Sequence, residues 1–249
     1  MRLDVIDLAR FYGGPLGRTA QAMIARRLSA LWPDARGLDL LGLGYAAPYL
    51  DAYRESARRV VAAMPAAQGV ERWPADARPA AALTEESRLA FRDAVFDRVL
   101  AVHLVEEAEA LRPVMREIWR VMAPNGRVVV VAANRRGLWA RAEASPFGHG
   151  RSFSARQLRA LMDDCMFEPV HWSRALYAPP IGWGPLTGAA ETFEVIGERV
   201  FRGFGGVVLV EAVKRVGADA RGAKRFVFAP ARAAPAPAPA WRRDQGAKS

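Results

Sequence analysis

Short apolar runs that alternate with stretches of helical period constrain this chain more than any other feature. "GLDLLGLG" (37–44), "VVAAMP" (60–65), "FDRVLAV" (96–102), "GRVVVVAA" (126–133) and "GGVVLVEAVKR" (205–215) have strand length and end at glycine, proline or polar residues. "AALTEES" (81–87) and "EPVHWSRALY" (168–177) add two further candidates. Between them, "TAQAMIARRLSALW" (19–32) spaces Met23, Ile24, Leu28 and Leu31 as a helix does. "APYLDAYRESARR" (47–59), with Pro48 in its first turn, and "EALRPVMREIWRVM" (109–122) also read as helices. "SARQLRALMDDCMF" (154–167) opens with Ser154 as N-cap, and "GAAETFEVIGERVF" (188–201) is a last helix. This alternation predicts an α/β fold with a mostly parallel sheet and helices on both faces. In such sheets ligands bind outside the carboxyl ends of the strands, which explains why polar residues collect where each strand stops.

Composition excludes several classes. No window of about 18 apolar residues exists, so no membrane span is expected. Asp4, Asp7 and Arg10 interrupt the amino-terminal apolar run, so a secretory signal is not expected and a cytoplasmic location is. Cys165 is the single cysteine, which rules out an intrachain disulfide, and three histidines alone do not make a zinc cluster; no metal is expected. The net charge is +10, but from residue 214 onward nine Lys or Arg face two Asp, so +7 of it belongs to the end of the chain. A basic tail of that kind suits RNA, an anionic membrane or an acidic protein, although solvation alone accounts for it and nucleic acid is not the favoured partner. "ARAAPAPAPAW" there favours an extended polyproline conformation. The expected organisation is a helical lid over 1–36, an α/β domain over 37–215 and a disordered Ala/Pro-rich tail over 216–249.

The first strand runs into Gly42-Leu43-Gly44-Tyr45-Ala46-Ala47. Glycine allows a tight turn and close approach of a ligand, and the following helix offers free N–H groups. The pattern G-x-G-x-x-A also fits a dinucleotide turn, which requires a carboxylate about 20 residues on to hold a ribose. That neighbourhood is Val61, Ala62, Ala63, Met64 and Pro65, with no carboxylate, so a nicotinamide oxidoreductase is disfavoured. A structural turn with no ligand is the plain alternative.

"LAFRDAVFDRVLAVHLVEE" (89–107) and "MREIWRVMAPNGRVVVV" (115–131) resemble two segments of class I S-adenosylmethionine-dependent methyltransferases, at the spacing that family has. The resemblance covers roughly residues 37 to 170, with a weaker continuation to about 213. It implies a Rossmann-like, seven-stranded sheet whose last strand is antiparallel, and S-adenosyl-L-methionine as cofactor. By position, Gly42, Leu43, Gly44 and Tyr45 would line the methionine and sugar portion, with Met64 at the second strand's end. Glu85 would contact the adenine, and His103 and Leu104 would lie beside the transferable methyl; a structural role for His103 stands equally open. Two departures matter. The ribose-binding carboxylate falls at Ala63 or Met64, and the third glycine is Ala46. Tyr45 or Tyr49 could compensate.

After the fifth strand, "NRRGLWARAEASPFGHGRSFSARQL" (134–158) is dense in arginine, aromatics and glycine on the side where substrates enter. Similar segments occur in a bacterial subgroup of these methyltransferases. Asn134, Arg135, Phe147 and Arg151 are substrate candidates, His149 is a candidate general base, and Tyr12 in "DLARFYGGPLGR" (7–18) could face the substrate from a second lid. The Asn-Pro-Pro-aromatic motif of base-amino methyltransferases is absent after the fourth strand, and Cys165 lacks the setting of a cytosine-methylating nucleophile. A small molecule or a protein is therefore the expected acceptor. The rival expectation is a methyltransferase-like module that has lost turnover with its ribose carboxylate.

Overall fold

The computed structural model describes residues 3–180 and 190–215; the tail expected over 216–249, like the first residues of the helix expected over 188–201, lies outside them. Seven strands form one sheet: β1 (Asp39–Gly44), β2 (Arg59–Pro65), β3 (Ala81–Thr84), β4 (Phe96–Val102), β5 (Met122–Ala133), β6 (Phe167–Ala175) and β7 (Val207–Lys214). Their order is β3-β2-β1-β4-β5-β7-β6, parallel from β3 to β5, with β7 antiparallel to both neighbours. All seven expected strands are present, and the antiparallel last strand is as the resemblance implied.

The continuous valines of β5 have a simple cause. Val129, Val131 and Ala133 pack into one apolar layer with α1 (Val5–Gly13) and α2 (Pro15–Leu31). Val128, Val130 and Ala132 pack into a second layer with α4 (Leu111–Val121) and α5 (Ala155–Asp164). A strand covered on both faces is apolar at every position rather than at alternate ones. Ser154 caps α5 in a reciprocal arrangement with Gln157, as its sequence foretold. The last described helix, α6 (Ala190–Val200), precedes β7.

One expectation fails. The helix foreseen over 47–59 is only α3 (Ala47–Leu50), followed by a short 3-10 turn, Asp51–Tyr53. Arg58 and Arg59 reach the Asp39 carboxylate at 2.7 and 2.9 Å, and Ala57 pairs with Arg36, so the chain must be extended where the pattern favoured helix. The ion pairs in turn hold Asp39 below the usual carboxylate range. The connection from β2 to β3, residues 66–80, also carries no helix. It folds back under α1, where the Val5 amide donates to the Gln68 carbonyl at 2.8 Å.

Candidate active site

The strand order reverses between β1 and β4, and the carboxyl ends of these two strands frame the crevice where an open α/β sheet binds ligands. Two residues there have left-handed backbone: Gly44 with φ of 74° and His103 with φ of 50°. Gly44 has a local reason. A Cβ on it would stand 2.2 Å from the Val102 carbonyl oxygen, so the turn closes only without a side chain. On Gly42, a Cβ would meet the Leu50 side chain at 2.5 Å. Both glycines thus serve the packing of β1 against its neighbours, whatever else they contact.

Above the crevice lies a buried set of rings. The Tyr12 hydroxyl, from α1, is 2.8 Å from His103 Nε2 and 3.1 Å from the Tyr49 hydroxyl. The Tyr12 ring stacks on Tyr45 at 5.5 Å, and Phe147 lies 4.7 Å from the His103 ring. Burial pushes His103 down to about 3, so the imidazole is neutral at physiological pH. It therefore holds the Tyr12 hydroxyl in place rather than carrying a positive charge. Burial and the neighbouring Tyr49 raise the Tyr12 phenol, so it too keeps its proton. Tyr45 faces Glu71 of the β2–β3 connection; burial raises both groups.

Glu106 is the functional-looking residue that sequence reasoning passed over. It sits three positions past His103 and is buried, with Oε1 accepting a 2.8 Å hydrogen bond from the Ala133 amide at the end of β5. Its Oε2 has no hydrogen-bond partner among the described residues. Desolvation pushes the carboxyl up to about 7. The available signal was a glutamate within "VHLVEE", directly after an apolar strand, where a solvated position is not expected.

A cleft of about 410 Å³ opens at the ends of β2 and β3, lined by Pro65, Ala66, Glu85, Ser87, Glu107 and Ala110 among others. It has the size of a small-ligand pocket, and Glu85, exposed and bonded to the Ser87 hydroxyl at 3.0 Å, stands in it as an acceptor. Pro65 and Ala66 give this cleft an apolar wall beside the Glu85 carboxylate. At the crevice between β1 and β4, Tyr12, Tyr49 and His103 are joined instead by hydrogen bonds to one another. A larger cleft of about 920 Å³, lined by Arg27, His171, Arg174, Tyr177 and Arg199, adjoins β6 and holds none of the expected site residues.

The other candidates scatter. Leu43 and Leu104 belong to the second apolar layer and Met64 to the first, all three buried. Asn134 donates to the carbonyls of Gly203 and Gly205 at 3.1 and 2.7 Å, which ties the end of β5 to the start of β7. Arg135 is exposed and reaches the Ser152 carbonyl, and the Arg151 guanidinium lies on the Ala108 carbonyl. Phe147 is buried against His103, Phe11 and Trp139, while His149 bonds the Glu143 carbonyl of its own loop at 2.9 Å. The fold thus brings together Tyr12, Tyr45, His103 and Phe147, and adds Tyr49 and Glu106. Cys165 is buried, its thiol pushed up to about 11, which suits a core residue.

Strand order, crevice and cleft together define a Rossmann-like α/β architecture with its ligand crevice at the switch point. Residues 38–130 match the model of the Methyltransf_11 family, a methyltransferase domain, and S-adenosyl-L-methionine is the cofactor this match indicates. A search of curated protein sequences finds no significant match. Solved structures share the fold at low identity. The [4+2]-cyclase SpnF is 20% identical with a TM-score of 0.57, over 78% of this chain and 80% of its own. An S-adenosylmethionine-dependent methyltransferase of Thermotoga maritima, described as a possible histamine N-methyltransferase, is 16% identical with a TM-score of 0.57, over 85% and 96%. Geranyl diphosphate C-methyltransferase of Streptomyces coelicolor, solved with Mg2+, geranyl diphosphate and S-adenosyl-L-homocysteine, is 16% identical with a TM-score of 0.54, over 77% and 76%. No helix among the described residues is long and apolar enough to cross a membrane.

Proposed function

We propose that the protein transfers the methyl group of S-adenosylmethionine to a small-molecule or protein acceptor in the cytoplasm. The observation that carries this reading is the cleft beside Glu85 at the ends of β2 and β3, on the same carboxyl edge of the sheet as the crevice between β1 and β4. When bound, the cofactor supplies an electrophilic methyl on a positively charged sulfur. The protein's part is to orient and to exclude water. Pro65, Ala66 and Glu85 receive the nucleoside, Tyr45 borders the Gly turn, and the rings of Tyr49, His103 and Phe147 keep the transfer end dry. In-line displacement onto an already nucleophilic acceptor asks mainly for positioning, which suits a histidine held neutral.

A non-catalytic binding module is the second reading. Two observations favour it: β2 ends on Met64-Pro65 with no acceptor for a ribose, and Tyr12 occupies the transfer end. Titration calorimetry separates the two, with S-adenosylmethionine, S-adenosylhomocysteine and NADH as ligands. Micromolar binding of the first two, with none of NADH, supports the enzyme. No binding at millimolar cofactor in folded protein supports the module. The basic tail stands outside both readings; if deleting 217–249 weakens RNA binding and flattens its salt dependence, RNA joins the acceptor classes, and no change removes it.

A further inference from the structure

We propose that Glu106 is the anionic partner of the cofactor's sulfonium, so that this site prefers the charged methyl donor to its neutral demethylated product. The inference rests on the methyl-transfer reading and deepens it. Its ground is geometric. Oε1 is fixed by the Ala133 amide at the carboxyl ends of β4 and β5, and the carboxyl lies close enough to act electrostatically on the Tyr12 phenol above the crevice. Oε2 is buried and without a partner among the described residues, a condition that native structures avoid or use.

The groups around the carboxyl leave it without a cation. From α1 it faces the Tyr12 phenol, and from its own loop Glu107, which is of like charge. From β5 it receives the Ala133 N–H alone. The loop at 149–151 gives the Arg151 amide to the Glu106 carbonyl at 2.9 Å, but the Arg151 guanidinium lies on the Ala108 carbonyl. No ion pair to Glu106 forms among the described residues. A buried carboxyl in this state stays protonated until a cation arrives, and burial already holds it near neutrality, at about 7. The sulfonium supplies that cation. Transfer of the methyl leaves a neutral thioether, which removes the attraction and favours release.

The test is calorimetry of the full chain with S-adenosylmethionine and S-adenosylhomocysteine between pH 6 and pH 8. Both ligands carry the same amino acid and nucleoside, so the ratio of their affinities isolates the sulfur's charge. Ionisation of a carboxyl near 7 raises the affinity for S-adenosylmethionine roughly tenfold over that range, with little change for S-adenosylhomocysteine. The Glu106→Gln variant, whose amide oxygen can still accept from Ala133, holds the ratio constant. Should that variant not fold, the wild-type protein decides alone: binding of S-adenosylmethionine at pH 7 releases about half a proton more than binding of S-adenosylhomocysteine. A wild-type ratio that is flat in pH, or one that still varies in Glu106→Gln, overturns the inference and leaves the methyl-transfer reading standing. Failure of both ligands to bind folded protein overturns that reading, and this inference with it.

Discussion

Removing one oxygen atom tests the buried ring network. Tyr12→Phe keeps the ring contacts, with Tyr45 at 5.5 Å, Phe11 at 5.2 Å and His103 at 5.9 Å, and deletes only the hydroxyl. That hydroxyl serves two buried groups at once, His103 Nε2 at 2.8 Å and the Tyr49 hydroxyl at 3.1 Å. Neither partner makes another side-chain hydrogen bond among the described residues, and both are buried, so the deletion strands two polar atoms. Each stranded atom costs about 1–3 kcal/mol, and one can relax towards the other, which puts the loss at roughly 2–4 kcal/mol. For a domain of this size that is a fall in Tm of roughly 4–16 °C. The assay is urea unfolding followed by tryptophan fluorescence, with scanning calorimetry beside it. A cycle with Tyr49→Phe should show coupling of about 0.5–3 kcal/mol, because the two single variants break the same contact. A stability change below about 0.5 kcal/mol in Tyr12→Phe, or strict additivity with Tyr49→Phe, refutes the network. Tyr12→Ala goes further, since it clears the transfer end of the crevice, and should bind S-adenosylmethionine more tightly or faster than the wild type in stopped-flow titration.

Gly44→Ala combines a left-handed backbone with a Cβ 2.2 Å from the Val102 oxygen, and should cost roughly 3 kcal/mol or more; unchanged urea stability would contradict the close approach of β1 and β4. Lost cofactor binding in any Gly44 variant, aspartate included, then reports unfolding. The pH dependence of stability carries opposed slopes. His103 is depressed, so its contribution is full above about 6.5 and is lost as pH falls towards 3, while Glu106 is raised, so its contribution is full below about 4.5 and is lost as pH rises through 7. Between about pH 4.5 and 6.5 the two nearly cancel, and Glu106→Gln should uncover the histidine slope, stability rising with pH by roughly 1.4 kcal/mol per unit. An unchanged profile in urea titrations at those pH values would contradict both assignments. Arg120→Lys loses the fork that joins Glu117 at 2.7 Å to the Leu89 and Phe91 carbonyls at 2.9 and 2.8 Å, and should cost about 1–2 kcal/mol and quicken proteolysis between residues 88 and 95. Equal cleavage rates would show that the loop holds itself.

The sequence by itself determined the sheet. Strand-length apolar runs such as "GRVVVVAA", and the helix capped at Ser154, depend on local pattern and on the need to bury both faces of a strand, and these are written in neighbouring residues. Gly42 and Gly44 were legible as a turn, but not as the close contacts with Leu50 and Val102 that require them. The helix expected over 47–59 gave way to a single turn because Arg58 and Arg59 bind Asp39 about 20 residues earlier, an attraction no local window contains. The site belongs still more to the tertiary structure. Tyr12, Tyr49 and the His103–Glu106 segment come from three places in the chain, and only the packing of α1 over the ends of β1 and β4 puts the Tyr12 phenol between Tyr49 and His103. The free oxygen of Glu106 and the neutrality of His103 follow from the same cause. Burial sets both, and burial is a property of the assembled layers, not of the residues beside it in sequence.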